Sequence, residues 1–273
     1  MLRIVTITSD WNRQDYYSGM LKGRLYSLLP DVRLVEAGDK ILPFRTLEGA
    51  FIVRSVIPEF PPGSIHLFLV NQGNKPDVFP LLVKTKGRYL IAWEDSVLGL
   101  VVDDKPEFCL RITPDVFNKI KKMIGIVNGH VFPSFPELGL FPIIALALVM
   151  ELPLEELGPD QPELVLSSPW LPVIQDQSLI GRVIYIDSYG NAISNISKDL
   201  FDRSRQGKRF EIYIISNHYR LDKINTGYLE TEPGEMLALF NALNFLEFAI
   251  VHGSISELLG LEPGSTIKIK FYD

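Results

Sequence analysis

A change of pattern across a proline-rich stretch limits most what this chain can fold into. Pro159, Pro162, Pro169 and Pro172 crowd a short segment. Proline fixes φ and favours extended backbone, so the segment predicts a stiff connector. Before it, apolar runs alternate between strand and helix periodicity. After it, only short strand-like runs recur between turn residues. The pattern predicts an N-terminal α/β domain over 1–158 with a mostly parallel sheet. A connector over 159–178 and a smaller all-β domain, a barrel or sandwich, over 179–273 follow.

The first half reads as strand, helix, strand, helix, strand. Arg3 to Thr8 is apolar and β-branched and ends in a polar loop. Asp15 is placed to cap a helix in which Tyr17, Met20, Leu21, Leu25 and Leu28 share a face, until Pro30 stops it. Val32 to Val35 is a short strand, Thr46 to Val56 a helix, and Ile65 to Val70 a continuous apolar strand of the kind buried in parallel sheets. Leu81 to Thr85 and Tyr89 to Trp93 flank Lys86-Gly87-Arg88 as a hairpin, and Asp115–Ile124 and Phe135–Met150 read as helices. In the second half, strands are predicted over Gly181–Asp187, Phe210–Ile215, Glu235–Phe240, Phe245–Val251 and Ser265–Phe271.

Composition narrows the function. Lys plus Arg is 27 against 33 Asp plus Glu, so a general affinity for nucleic-acid phosphate is not expected. Cys109 is the sole cysteine, which excludes an intrachain disulfide, and its apolar neighbours predict a buried structural thiol. The opening residues are too quickly polar for a secretory signal, and Leu140–Met150 is shorter than the roughly 20 residues of a membrane span. A cytoplasmic protein without membrane partners is the expectation, and Asn195-Ile196-Ser197 reads as a chance glycosylation match. His66, His130, His218 and His252 are scattered, so no metal site is expected. No P-loop, G-x-G-x-x-G or G-x-S-x-G motif is present.

Two loops carry chemistry. Thr8-Ser9-Asp10-Trp11 follows the first strand, and ligands of parallel sheets gather at carboxyl strand ends. A carboxylate there accepts from ribose hydroxyls, and a tryptophan face suits adenine. Otherwise Asp10 caps a turn and Trp11 packs. Asp187-Ser188-Tyr189-Gly190-Asn191 is either a tight turn between strands or a place where the Asn191 amide reads a base edge. Phe240 to Glu247 resembles a hairpin with a polar tip.

Together these stretches resemble the S-adenosyl-L-methionine hydroxide adenosyltransferases, relatives of the fluorinase and chlorinase. That family opens with T-D-F-G-x-x-D-x-Y-V-G-x-M-K-G. Here Thr8 to Gly23 keeps Asp10, Asp15, a tyrosine and the Gly19-Met20 spacing to Gly23. The family's I-D-x-F-G-N-x-x-T-N-I is matched by Ile186 to Ile196, and its N-S-x-G-x-L-E-I-A, loosely, by Asn241 to Ala249. The resemblance implies a homotrimer with the substrate held between an N-terminal domain and a neighbour's C-terminal domain. It implies that Asp10 holds ribose, Asn191 reads adenine, and Asp187 and Tyr189 line the pocket. Trp11, Asp15 and Asn241 are further substrate-binding candidates. Water would displace the thioether at ribose C5′, giving adenosine and methionine; S-adenosyl-L-methionine is the ligand or substrate, with no other cofactor.

The departures concern the water. The family's Asp and Arg of D-P-G-V-G-x-x-R fall at Asn71 and Val78. Its His of F-H-G-R-D falls at Pro136, its G-P-D-N-G becomes Ala92-Trp93-Glu94-Asp95-Ser96, and the serine of N-S-x-G falls at Ala242. Positioned groups of this kind contribute about 10²–10⁴-fold each to a rate. Glu137, Glu94 or Asp95 could substitute, since a carboxylate can orient water. The expectation is therefore slow hydrolysis, with a catalytically inactive adenosine-binding trimer as the alternative and a trimer without ligand as a third reading.

Overall fold

In the computed structural model the described residues are 3–11, 15–38, 40–70, 78–94, 98–102, 105–126, 132, 134–158 and 171–273. Contacts divide the chain into two units, Met1–Ser167 and Ser168–Asp273.

The first unit holds β1 (Arg3–Ser9), α1 (Tyr16–Leu28), β2 (Val32–Gly38), α2 (Thr46–Val56), β3 (Ile65–Leu69), β4 (Pro80–Thr85), β5 (Arg88–Trp93), α3 (Leu98–Val101), β6 (Phe108–Arg111), α4 (Pro114–Met123) and α5 (Glu137–Val149). Its sheet runs β2-β1-β3-β5-β4-β6. The β2-β1-β3-β5 pairs are parallel, and β4 is antiparallel to β5 and β6. Strand β3 is buried throughout, as its unbroken apolar run requires. The β4–β5 turn uses Lys86 at φ 47° and Gly87 at φ 73°, the doubly left-handed geometry that matches strand twist in a two-residue hairpin. From β1 the chain moves outward to β2 and returns to β3 on β1's other side. The carboxyl end of β1 is thus the switch point of the parallel part, the place where sheets of this kind gather ligands.

Helices α1 and α5 pack together, with Leu21 and Leu25 of α1 and Phe141 and Ile144 of α5 fully buried. Pro142 lies inside α5 and has no N–H for the carbonyl four residues back, which is that of Leu138. Arg24 of α1 supplies that donor, its Nη1 lying 3.4 Å from the Leu138 oxygen, while its guanidinium covers the Phe132 ring at 4.5 Å. The proline in one helix is thereby answered by an arginine on the other, and the start of α5 is tied beside α1.

The second unit holds β7 (Val173–Gln175), β8 (Ser178–Ile186), β9 (Ala192–Ser197), α6 (Lys198–Arg205), β10 (Arg209–Ile214), β11 (Arg220–Leu221), β12 (Met236–Phe240), β13 (Phe245–Ile250), α7 (Ile255–Leu259) and β14 (Thr266–Tyr272). The antiparallel sheet runs β11-β10-β14-β8-β9-β13-β12, and a bridge from Asn225 to Leu239 of β12 brings it nearly to a closed barrel. Phe201, Phe248, Ile212 and Ile269 fill its core.

Some details differ from the sequence reading. Val173–Gln175, within the expected connector, forms a strand because it pairs with Ser178–Ile180; the connector's 159–170 lie outside the described residues. Strand β9 escapes the pattern because Ser194 and Asn195 are buried polar residues whose side chains bond the Leu246 carbonyl and the Arg182 N–H. Burial of Asn195 also leaves its sequon unsuited to a surface modification. Cys109 is buried in β6. Among the described residues no helix is long and apolar enough to cross a membrane.

Candidate functional site

Asp10 stands directly beyond β1, at the switch point. Its Oδ2 accepts from the Phe44 N–H at 2.9 Å, a contact across 34 residues rather than a local turn. Phe44 adopts φ 68°, a costly conformation for a bulky residue, and is 74% exposed. Backbone strain is thus held beside the Asp10 carboxylate. Trp11 is half-buried with its ring 5.9 Å from that of Tyr17, which in turn lies 4.1 Å from Phe135. The aromatic row leads from the Asp10 loop to the start of α5. Asp15 occupies the N-cap of α1 without a side-chain capping bond and is exposed.

Pro136 is the N-cap of α5 and Glu137 its first residue. Glu137 is 3% exposed, and its Oε2 has no hydrogen-bond partner among the described residues. Burial raises its carboxyl from 4.5 to about 7; its own backbone N–H opposes this, and the charge of Asp10 adds to it. Glu137 and Asp10 are therefore electrostatic neighbours. Glu94, another candidate, is bonded by Arg111: Nε lies 2.7 Å from Oε2, and Nη2 bonds Oε1. Val78 is half-buried before β4 and carries no polar side chain. Asn71 and Asp95 lie outside the described residues.

In the second unit Asp187 organises its own turn. Its Oδ1 accepts from the Tyr189 and Asn191 N–H groups, each at 2.9 Å, and its Oδ2 from the Asn191 amide at 3.0 Å. Gly190 has φ 80°, and a Cβ there would stand 2.0 Å from Ser254 Oγ. The turn thus demands glycine twice over. Asn191 is buried and Tyr189 is 77% exposed.

Asn241 holds a hairpin tip, its Oδ1 accepting from Leu243 and Phe245 N–H at 3.0 and 3.1 Å. Its Nδ2 donates to Glu247 Oε2 at 3.1 Å, and the Tyr228 hydroxyl donates to Glu247 Oε1 at 2.5 Å. Burial first, then the bond to Glu247, raises the Tyr228 phenol. Both oxygens of the buried Glu247 are satisfied, which makes it a rigid support for Asn241.

The structure brings Asp10, Trp11 and the start of α5 together in one unit, and Asp187, Tyr189 and Asn191 together in the other. Sequence reasoning missed Phe44, Tyr228 and Glu247, whose contacts join residues far apart or side chains in a tertiary network. Among the described residues no group of three or more His, Cys, Asp or Glu could hold a metal ion.

Comparison with known proteins returns matches to both units. The family model for the SAM hydroxide adenosyltransferase N-terminal domain matches residues 5–158, and that for its C-terminal domain matches 181–268. The chain is 25% identical to a Methanocaldococcus jannaschii protein named (R)-S-adenosyl-L-methionine hydrolase, over 98% of this chain and 96% of that one. It is 24% identical to a Thermus thermophilus protein of the same name, over 98% and 100%. A crystal structure of a conserved protein from Thermotoga maritima superposes with TM-score 0.81 at 23% identity, covering 98% of this chain and 99% of that one.

Proposed function

The chain belongs to the SAM hydroxide adenosyltransferase family, and on that premise we propose that it binds S-adenosyl-L-methionine or adenosine and hydrolyses the former slowly to adenosine and methionine. The observation that carries this is Asp10 at the switch point of the parallel strands, anchored by the Phe44 N–H. A carboxylate can accept about four hydrogen bonds, so an anchored one still suits a pair of vicinal hydroxyls. Trp11 supplies an aromatic face and Asp15 a second acid on the same loop. Asn191 reads adenine, with Asp187 and Tyr189 about it and Asn241 on the neighbouring hairpin. Two curated relatives carry the hydrolase name over nearly their whole length. The functional particle is a homotrimer in the cytoplasm, with pockets between subunits.

A second reading is favoured by Val78 and Pro136, neither of which can orient water: a catalytically inactive trimer that binds adenosine. Incubation with S-adenosyl-L-methionine and chromatography for adenosine separates the two. Adenosine formed at a measurable rate supports hydrolysis; calorimetric heat without product supports the binding protein. Removing a buried hydrogen-bond partner costs about 1–3 kcal/mol, so Asp10→Ala should weaken adenosine binding roughly 5- to 150-fold. Unchanged affinity in that variant overturns the assigned site.

A further inference from the structure

Two described carboxylates stand near the departures from the family's text, and they differ in what holds them. Glu94 is gripped by both arms of Arg111. Glu137 is not so held: its buried Oε2 lacks a partner among the described residues. A second buried atom shares that condition. Trp93 Nε1 is a donor without a partner among the same residues. Trp93 ends β5, which runs parallel to β3, so it stands on the sheet's Asp10 edge. Its ring centroid is 6.0 Å from that of Phe141. Phe141 lies four residues after Glu137 on α5, and side chains so spaced on a helix are neighbours. One orphan donor and one orphan acceptor thus belong to residues that both neighbour Phe141 on α5.

Unpaired buried polar atoms are costly, and a water molecule needs two to four polar partners to sit in a protein. An indole N–H and a carboxylate oxygen provide one partner of each kind. Both residues also fall where this chain departs from the family's text. Trp93 stands at the proline of G-P-D-N-G, and Glu137 at the glycine beside the missing histidine of F-H-G-R-D. A donor and an acceptor have entered where the earlier groups are gone.

We propose that Trp93 and Glu137 are this chain's replacement for the lost water-positioning groups, the indole N–H holding the water oxygen and the carboxylate receiving its proton. This rests on the hydrolase reading above. The water oxygen forms a bond to ribose C5′ while the C5′–S bond breaks, its electron pair returning to sulfur as a neutral thioether. The protonated 5′-oxygen passes one proton to Glu137, which releases it to solvent. One water and one sulfonium cation give adenosine, methionine and one proton.

The charged and titratable groups on elements packed against α5 are few. Helix α1 brings Tyr16, Tyr17, Tyr26, Arg24 and Lys22, the last paired with Glu36 at 2.5 Å; β3 brings His66, which burial holds neutral; and α4 brings Asp115, Lys119, Lys121 and Lys122. Asp10, on the loop after β1, is the charge that acts on Glu137. A carboxyl titrating near 7 is well matched to taking up and releasing a proton at neutral pH.

The test uses the full chain, with Glu137→Gln and Trp93→Phe as variants and circular dichroism as the check on folding. Adenosine release is followed from pH 5 to 9, and adenosine binding by calorimetry. Glu137→Gln is expected to lower kcat by about 10²–10⁴-fold and to abolish the rise in rate through neutral pH, with adenosine affinity held within about threefold. Trp93→Phe is expected to lower kcat at least about tenfold while keeping that rise. A wild type that releases adenosine alongside a Glu137→Gln variant of equal rate and equal pH profile overturns the pair and leaves the hydrolase reading standing. A wild type that binds adenosine but never produces it overturns the hydrolase reading, and the pair with it.

Discussion

Replacing Glu137 by glutamine should stabilise the first unit at alkaline pH and leave it nearly unchanged in acid. In the unfolded chain the carboxyl titrates near its ordinary 4.5; in the folded chain burial moves it to about 7. Between those values the folded state binds the extra proton, so stability falls as pH rises. Below 4.5 both states are protonated and nothing is lost. Above 7 both are ionised and the loss is complete. A shift from 4.5 to about 7 corresponds to roughly 3 kcal/mol. Glutamine has a similar shape and never ionises, so it escapes this loss.

Urea denaturation at pH 4.5 and pH 8.5 measures the effect. Two of the three tryptophans, Trp11 and Trp93, lie in the first unit, so with Trp170→Phe introduced into both proteins the emission follows that unit's unfolding. The glutamine variant should match wild type within about 1 kcal/mol at the lower pH and exceed it by about 2–3 kcal/mol at the higher. His66 titrates in the opposite sense, but it is common to both proteins and cancels from the difference. Asp10→Asn should narrow the gap, because it removes the charge that reinforces burial. An equal difference at both pH values would refute the reasoning, since a packing effect has no reason to follow proton uptake.

Gly190→Ala should destabilise the second unit by more than about 2 kcal/mol, because the new Cβ meets Ser254 Oγ at 2.0 Å in a left-handed turn; a melting temperature within a degree of wild type would contradict this. His66 is buried between the Thr6 and Ser64 hydroxyls, at 2.7 and 2.9 Å, and burial, aided by Arg88, lowers it from 6.5 to about 4. Its contribution to stability is full above pH 6.5 and is lost as pH falls through 4, so an NMR titration of its ring should show no protonation at pH 5.5. Asp187→Ala should weaken adenosine binding as much as Asn191→Ala, because Asp187 holds both the Asn191 amide and its backbone N–H; calorimetry showing an effect for Asn191→Ala alone would count against it.

Local chemistry made some of this legible. The helix Thr46–Val56 and the Lys86-Gly87 hairpin follow from periodicity and turn geometry, and the structure contains both. The strand Phe108–Arg111 and the helix Lys198–Arg205 escape such patterns. The first is only four residues long, and the second begins at a Ser197 cap inside a mostly polar run. Asp10 could be singled out because it follows the first strand, and ligands of parallel sheets gather at carboxyl strand ends. Its anchor Phe44 could not, because no spacing rule links residues 34 apart. Trp93 was legible as the end of a strand, but the lack of a partner at its Nε1 depends on what the fold packs around it.

The proposed site also makes a distinction between substrate and product that can be read without turnover. S-adenosyl-L-methionine carries a sulfonium cation; adenosine has no charge at that end. A nearby cation favours the ionised carboxyl, so binding the sulfonium should lower the titration of Glu137 below 7 and release a proton near neutral pH. Adenosine gives no such driving force, and desolvation by the ligand raises the carboxyl further. Affinity for the sulfonium should therefore strengthen from pH 6 to pH 8, while adenosine affinity stays level or weakens. At about 4 Å and an effective dielectric constant near 20, a unit charge pair is worth about 4 kcal/mol before desolvation is set against it. Even a third of that is nearly a tenfold change in affinity. Calorimetry in two buffers of different ionisation heat counts the proton directly. If both ligands follow the same pH dependence and neither releases a proton, Glu137 does not face the sulfonium. If only the sulfonium does, and Glu137→Gln abolishes the difference, the same carboxylate that receives the proton also helps to recognise the charge that hydrolysis removes.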